Sequence, residues 1–246
     1  MPWLPLVLAP FIGSFLGTLV LRLPAGEGVI AGRSRCARCR HVLSAWELLP
    51  VVSWLALRGR CRHCGAPLAV FYPAMEVAAL ALAAWAAALA SGTALWLGCV
   101  LGWGLLALAA IDLRHYILPD VLTLPLIPLG LFAAWLDGPG ELLPHMIGAA
   151  AGYLAFLVIA EGYRRLRHRD GLGLGDAKLL AVAGAWVSWQ GLPSVVLLGA
   201  CASLALLLLE RLRGSAIRLD QPVAFGPGLC LGLWLVWLYG PLQLAG

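Results

Sequence analysis

Charge is scarce in this chain. Asp, Glu, Lys and Arg make up 12% of the 246 residues and hydrophobic residues 62%, whereas about a quarter of an average soluble domain is charged. That shortage excludes an ordinary soluble domain. Charge is absent from 1–21, 77–111, 121–136, 142–160, 179–209 and 221–246. A bilayer core of about 30 Å needs about 20 apolar residues per helix. The second and fifth runs are therefore long enough for two spans each, with breaks at Ser91-Gly92-Thr93 and Gln190-Gly191-Leu192-Pro193. The runs predict eight spans, at 2–21, 71–90, 94–112, 119–136, 143–161, 176–190, 193–210 and 222–243. They are too long and too uniformly apolar for barrel strands, which are about 10 residues and alternate. The expected fold is an all-α polytopic membrane protein of about eight transmembrane helices.

Positive charge is missing from half of the loops. All 17 Lys and Arg fall in 22–62, Arg114, 164–178 and 211–218, while the other loops carry only Asp137, Glu141 and His145. By the positive-inside rule the basic segments are cytoplasmic and both termini are outside. The net +5 is thus a signature of topology and of contact with anionic lipid, and it is no evidence for nucleic acid. No basic residue precedes the first apolar run, as a secretory signal would require, so the first span is expected to be retained. The expected organisation is span 1 at 1–21, a cytoplasmic loop domain at 22–70, and a seven-helix membrane domain at 71–246.

Familiar catalytic signatures are missing too. There is no Gly-x-Ser-x-Gly, no His-Glu-x-x-His and no P-loop, which removes the corresponding hydrolase, zinc-protease and nucleotide-binding readings. What remains is carboxylates at span edges. In Gly171-Leu172-Gly173-Leu174-Gly175-Asp176-Ala177-Lys178, three glycines open a loop and an aspartate stands at the mouth of an apolar run. A carboxylate there is expensive unless something uses it. Gly173 and Gly175 would let a substrate backbone pass close to Asp176. Asp112 ends span 3 at the same membrane edge, at a helix C-terminus where negative charge is disfavoured. Asp120 follows Pro119 at a helix start and has a cheap reason to be there, capping and dipole.

Asp112 and Asp176, meeting at one edge, would share a proton. One would take a proton from water while the other supplied one to a scissile carbonyl. Residue chemistry alone leaves a second reading equally open, in which both aspartates pair with Arg114, Lys178 or the 164–169 basic collar.

The 22–70 segment contains Cys36-Ala37-Arg38-Cys39 and Cys61-Arg62-His63-Cys64. Two such knuckles supply the four thiolates of a closed tetrahedral zinc site. In a reducing compartment a disulfide is the weaker reading. A segment this short builds little core, so a structural Zn2+ would supply what burial does not. The chain is expected to hold a small zinc-ribbon-like insert between helices 1 and 2. His41 and His63 are expected to be solvated neighbours; Cys99, Cys201 and Cys230 read as small buried hydrophobes. Gly13 and Gly17 have the spacing of a close helix contact.

The ordered set resembles the type IV prepilin leader peptidase family. It comprises Gly13-Ser14-Phe15-Leu16 through Arg22-Leu23-Pro24, the paired knuckles, Trp46-Glu47…Pro50…Ser53-Trp54, and Tyr72-Pro73…Glu76. It continues with Asp112…Leu118-Pro119-Asp120, Gly173-x-Gly175-Asp176-x-Lys178-Leu179, and Phe225-Gly226-Pro227. The resemblance implies a bacterial inner-membrane aspartic protease whose catalytic pair falls on Asp112 and Asp176, with Gly173, Gly175, Lys178 and Asp120 supporting it. The implied substrates are prepilins or type II secretion pseudopilins, cut after a glycine on the cytoplasmic side. Many members then methylate the new N-terminus with S-adenosylmethionine. Gly17 and Leu48 stand where the family usually has Asn, and the Pro24–Cys36 connection is shorter. Two other functions are weighed: a related intramembrane aspartic protease, since Gly-x-Gly-Asp loops also occur in presenilin-like enzymes, and a zinc-ribbon scaffold or transporter. The knuckles and Leu118-Pro119-Asp120 favour the prepilin peptidase, and a transporter would carry mid-span charges and inverted repeats.

Overall fold

The computed structural model describes residues 3–29, 34–36, 38–167, 173–212 and 224–242, and among them there is no strand. The chain order is α1 (Trp3–Arg22), a 3-10 turn (Ala45–Leu48), α2 (Val52–Ala56), α3 (Phe71–Leu89), α4 (Gly92–His115), α5 (Asp120–Asp137), α6 (Leu142–Arg167), α7 (Leu174–Leu212) and α8 (Gly226–Tyr239). Among the described residues six helices, α1 and α3–α7, are long and apolar enough to cross a membrane, and α8 is a shorter apolar helix. This is an all-helical, multi-pass membrane protein with a cysteine-rich insert between its first two long helices.

The sixth and seventh expected spans are two helices that run on across a kink within α7. Their break lies at Val187 (φ −122°, ψ 15°) and Ser188 (φ 57°, ψ 179°) within α7, upstream of the expected Gln190–Pro193. Ser188 takes a left-handed φ that few side chains tolerate. The kink lies within about a turn N-terminal to Gly191 and Pro193, and a proline disrupts the turn that precedes it, so composition marks the break to within a few residues. The last span, expected at 222–243, is helical over Gly226–Tyr239; Pro222, Val223 and the last four residues lie outside the described ones, as do Gly171 and Leu172.

Contacts divide the chain into two compact units, Met1–Ala107 and Leu108–Gly246, with the boundary inside α4. In the first, α1 lies against α3 at Gly13, where a Cβ would stand 2.6 Å from Glu76 Cα. Only glycine permits that approach, so the small-residue spacing read from the sequence is a real helix contact. The Trp103 indole N–H on α4 donates to the Ala79 carbonyl at 3.1 Å. In the second unit α7 is the central element, packed on α5, α6 and α8. The Trp186 indole N–H donates to Leu126 O at 2.8 Å, and His145 Nδ1 lies 3.0 Å from Ala185 O. Such side-chain bonds satisfy polar groups that no water reaches in a bilayer. Cys99 and Cys230 are buried as expected, but Cys201 is exposed on α7; a thiol facing lipid needs only to be apolar.

Candidate active site

Within the second unit, α4 brings Asp112 and α7 brings Asp176 to one place. The two carboxyl groups are within electrostatic reach of each other. Asp112 is 6% exposed. Its Oδ2 accepts the backbone N–H of Gly226 at 3.1 Å. Gly226 opens α8, with Phe225 as N-cap and Pro227 behind it. The first N–H groups of a helix have no partner of their own. Asp112 satisfies one of them, and the positive end of α8 meets a carboxylate that the C-terminal turn of α4 disfavours.

Asp176 sits in the first turn of α7, where its backbone N–H donates to Gly173 O at 3.1 Å. A Cβ on Gly173 would lie 3.6 Å from Asp176 Oδ2 and otherwise meet little, while one on Gly175 would press on Leu118 at 3.0 Å. Gly173 thus keeps a side chain from standing over the Asp176 carboxyl, and Gly175 lets the loop close on the Leu118-Pro119-Asp120 segment. Lys178 Nζ lies 2.5 Å from Asp120 Oδ1. Arg164 and Arg165 both pair with Glu161. Three of the cations that sequence reasoning offered to the aspartates therefore hold other carboxylates. The Gly226 N–H is the partner that reading missed; Phe225-Gly226-Pro227 entered it only through the resemblance.

The first unit holds the metal candidate. The sulfur atoms of Cys36, Cys39, Cys61 and Cys64 all lie within 4.8 Å of one another. Cys36 Sγ is 3.8 Å from Cys64 Sγ and Cys39 Sγ is 4.0 Å from Cys61 Sγ. A tetrahedral zinc with Zn–S near 2.3 Å requires sulfurs roughly 3.8 Å apart, so the four fit that ion. The two knuckles repeat one backbone design. Cys36 N–H donates to His41 O and Arg40 N–H to Cys36 O; Cys61 N–H donates to Ala66 O and Gly65 N–H to Cys61 O. The backbone N–H groups of Cys39 and then Arg38 point at the Cys36 sulfur and, against burial, pull its thiol down to about 6, whereas at Cys39, against the His41 N–H, burial and the neighbouring sulfurs push the thiol up to about 11. At Cys36 this favours the thiolate a metal needs. His41 and His63 are exposed, their ring centroids 3.5 Å apart, beside Glu47.

The repeat exposes one mismatch. Gly65 has φ 66°, and its counterpart in the first knuckle is Arg40 at φ 58°. A side chain in that region costs about 1 kcal/mol. Arg40→Gly is expected to stabilise the insert by up to about 1 kcal/mol, less some added unfolded-chain entropy. The chelator concentration that half-strips the metal should rise.

Two acids of this unit also exceed their sequence reading. Glu76, which entered the sequence reading only as part of the Tyr72-Pro73…Glu76 motif, is 5% exposed and its Oε2 accepts the Val51 N–H at 2.7 Å, which ties the insert to α3. Glu47 Oε2 accepts both the N–H (2.9 Å) and the hydroxyl (2.7 Å) of Ser44.

Comparison with known proteins agrees with this layout. Residues 7–90 match the Bacterial Peptidase A24 N-terminal domain and residues 99–208 the Type IV leader peptidase family. A Burkholderia pseudomallei (strain 1026b) protein named prepilin leader peptidase/N-methyltransferase is 46% identical over 85% of this chain and 68% of its own length. Proteins of the same name from Aeromonas hydrophila and Pseudomonas aeruginosa are 39% and 34% identical, each over 98% of this chain and 92% and 93% of theirs. No solved structure matches the chain. With its membrane helices, its cysteine cluster and both family regions in order, this chain is an enzyme belonging to the type IV prepilin leader peptidase family.

Proposed function

We propose that the protein is an aspartic endopeptidase that removes the basic leader of prepilins or type II secretion pseudopilins after a glycine. The observation that carries this is the meeting of Asp112 and Asp176 next to an open glycine turn. In the reaction one carboxylate takes a proton from a water molecule, which attacks the scissile carbonyl. The other carboxyl delivers a proton towards the carbonyl oxygen, and as the C–N bond breaks the proton taken from water passes to the departing amine. The Gly226 N–H holds Oδ2 of Asp112 and so orients that carboxyl. Lys178 and Asp120, paired with each other, link the α7 and α5 starts behind the site.

The reading includes a second activity, transfer of a methyl group from S-adenosylmethionine to the new N-terminal amine. Its support is the name carried by the relatives, which cover nearly the whole chain. When bound, S-adenosylmethionine supplies an electrophilic methyl. The protein sits in a bacterial inner membrane with its cysteine insert and aspartates on the cytoplasmic side and both termini outside. The one-sided distribution of Lys and Arg supports that orientation. A leader that stays in the cytoplasm then meets the aspartates without crossing the bilayer.

The test is to mix the purified protein with a prepilin carrying a Gly-Phe junction in detergent micelles. Removal of the leader at that junction is expected, and labelled S-adenosylmethionine should mark the shortened product. An intact prepilin would overturn the peptidase reading; a cut but unlabelled one would overturn the methyltransferase alone.

We further propose that the four cysteines hold one structural Zn2+ that fastens the insert. Cys36→Ser is expected to abolish stoichiometric zinc, read by elemental analysis, and to make the residues between α1 and α3 the first site of proteolysis. Full zinc in that variant would sink the four-thiolate site.

A further inference from the structure

The four cysteine sulfurs complete a tetrahedron by themselves, and three further donors of the same insert are left over. His41 lies two residues past Cys39, and His63 sits inside the second knuckle between Cys61 and Cys64. Folding brings the two imidazoles together, with ring centroids 3.5 Å apart and planes inclined at 35°. A ring nitrogen of each and a carboxylate oxygen of Glu47 all lie within 4.8 Å of one another. Glu47 arrives from a third stretch, the 3-10 turn Ala45–Leu48. Its two oxygens differ. Oε2 accepts the Ser44 N–H at 2.9 Å and the Ser44 hydroxyl at 2.7 Å, while Oε1 is buried with no hydrogen-bond partner. Native proteins rarely leave a buried carboxylate oxygen unanswered. An ionised carboxylate only accepts, so what Oε1 lacks is a proton donor or a cation.

Two imidazoles and a carboxylate are a donor set for divalent transition metals such as Zn2+, Co2+ and Ni2+. A metal-bound carboxylate commonly has its second oxygen held by a hydrogen bond, and the two Ser44 donors do this at Oε2. A four-coordinate ion with metal–ligand distances of about 2.0–2.1 Å sets its donor atoms roughly 3.3 Å apart. Small turns of the His41 and His63 rings, both exposed, supply that closure. We propose that His41, His63 and Glu47 Oε1 bind a second divalent transition-metal ion, separate from the one at the cysteines, with water completing its shell. Three protein ligands and an open position distinguish it from the closed four-thiolate set.

Such an ion joins both knuckles to the 3-10 turn. With fewer protein ligands and its shell open to water, it binds more weakly than the ion at the cysteines and exchanges with metal in solution. The insert is therefore tightened when that metal is plentiful and loosened when it is scarce. Glu76 carries the constraint to α3 through the Val51 N–H at 2.7 Å.

Equilibrium titration with Co2+ tests this on the purified full-length protein, without a histidine tag and loaded with one equivalent of Zn2+. One equivalent of Co2+ should bind while the zinc stays in place. Its visible spectrum should show nitrogen and oxygen ligation and lack thiolate-to-cobalt charge transfer. His41→Asn, His63→Asn and Glu47→Gln should each weaken Co2+ by about tenfold or more, since even an outer-shell partner of a bound metal is worth that much. His115→Asn, which removes an exposed histidine at the end of α4, should bind like the parent. Saturating Co2+ should slow proteolysis between α1 and α3 in the parent and leave His63→Asn unprotected. Helical circular dichroism on the same samples confirms that each variant is folded. The zinc content of Cys36→Ser reports on the cysteine site separately. If the parent takes up no Co2+, or if folded His41→Asn and His63→Asn bind it like the parent, the proposal is overturned. It is equally overturned if a folded histidine variant loses its zinc, because the imidazoles then serve the cysteine-bound ion.

Discussion

Asp112→Asn and Asp176→Asn are each expected to abolish leader removal, with losses on the order of 10²–10⁴-fold, the range over which a positioned acid or base contributes. The amide keeps the size of the carboxyl and removes its ability to exchange a proton. Because the two groups act as a unit, the double variant should be little worse than either single one. That pattern separates catalysis from support. If the aspartates only paired with cations at the membrane edge, each substitution would lower stability by up to about 1 kcal/mol and leave the cleavage rate within a few fold. Initial rates on a Gly-Phe prepilin, together with thermal unfolding, decide between the two. Asp120→Asn is the control. Its partner is Lys178 at 2.5 Å, at a half-exposed site, so the loss expected there is small in both measurements.

The control also shows how far residues alone could be read. Lys178 lies two positions from Asp176 in sequence and looked available to it, but on α7 neighbours two apart do not share a face, and Asp120 takes the charge. What was legible followed from long-range averages. The multi-pass helical fold came from run length and the four-cysteine cluster from Cys-x-x-Cys spacing, because each is a property of many residues or of a fixed local geometry. What was illegible followed from single dihedrals and single tertiary contacts. Gly191 and Pro193 mark a break in this run, but not that Ser188 is the residue taking the left-handed φ. Glu76 was visible as a letter of a motif, and only packing shows that it holds Val51. Glu47 was visible as a letter in a motif, while the unmatched demand of its Oε1 depends on where Ser44 points.

Asp112 belongs to both classes. Its wrong position with respect to the α4 dipole was visible in the sequence and marked it as unusual. The answer to that misplacement lies 114 residues away in the chain, in the Gly226 N–H.

Gly226→Ala is therefore the substitution with the largest expected effect outside the carboxylates. A Cβ at this position would stand 2.7 Å from Asp112 Oδ2 and 3.0 Å from its Cγ, closer than real Cβ contacts come. Either the carboxyl swings away or the start of α8 withdraws, and both break the 3.1 Å bond. Neighbouring Pro227 has no N–H to offer in exchange. The stacked Phe156 and Phe225 rings, with centroids 6.3 Å apart, hold the helix start against withdrawal, so the carboxyl is the part that moves. Displacement of a reacting group by about 1 Å costs on the order of 10²-fold, and that is the loss expected in kcat for leader cleavage. KM should change little, since the substrate loses no contact. The discriminating measurement is made in the Asp112→Asn background, where the carboxylate is already gone and adding Gly226→Ala should cost almost nothing further. Two losses that multiply would show that Gly226 acts on the reaction by some route other than Asp112.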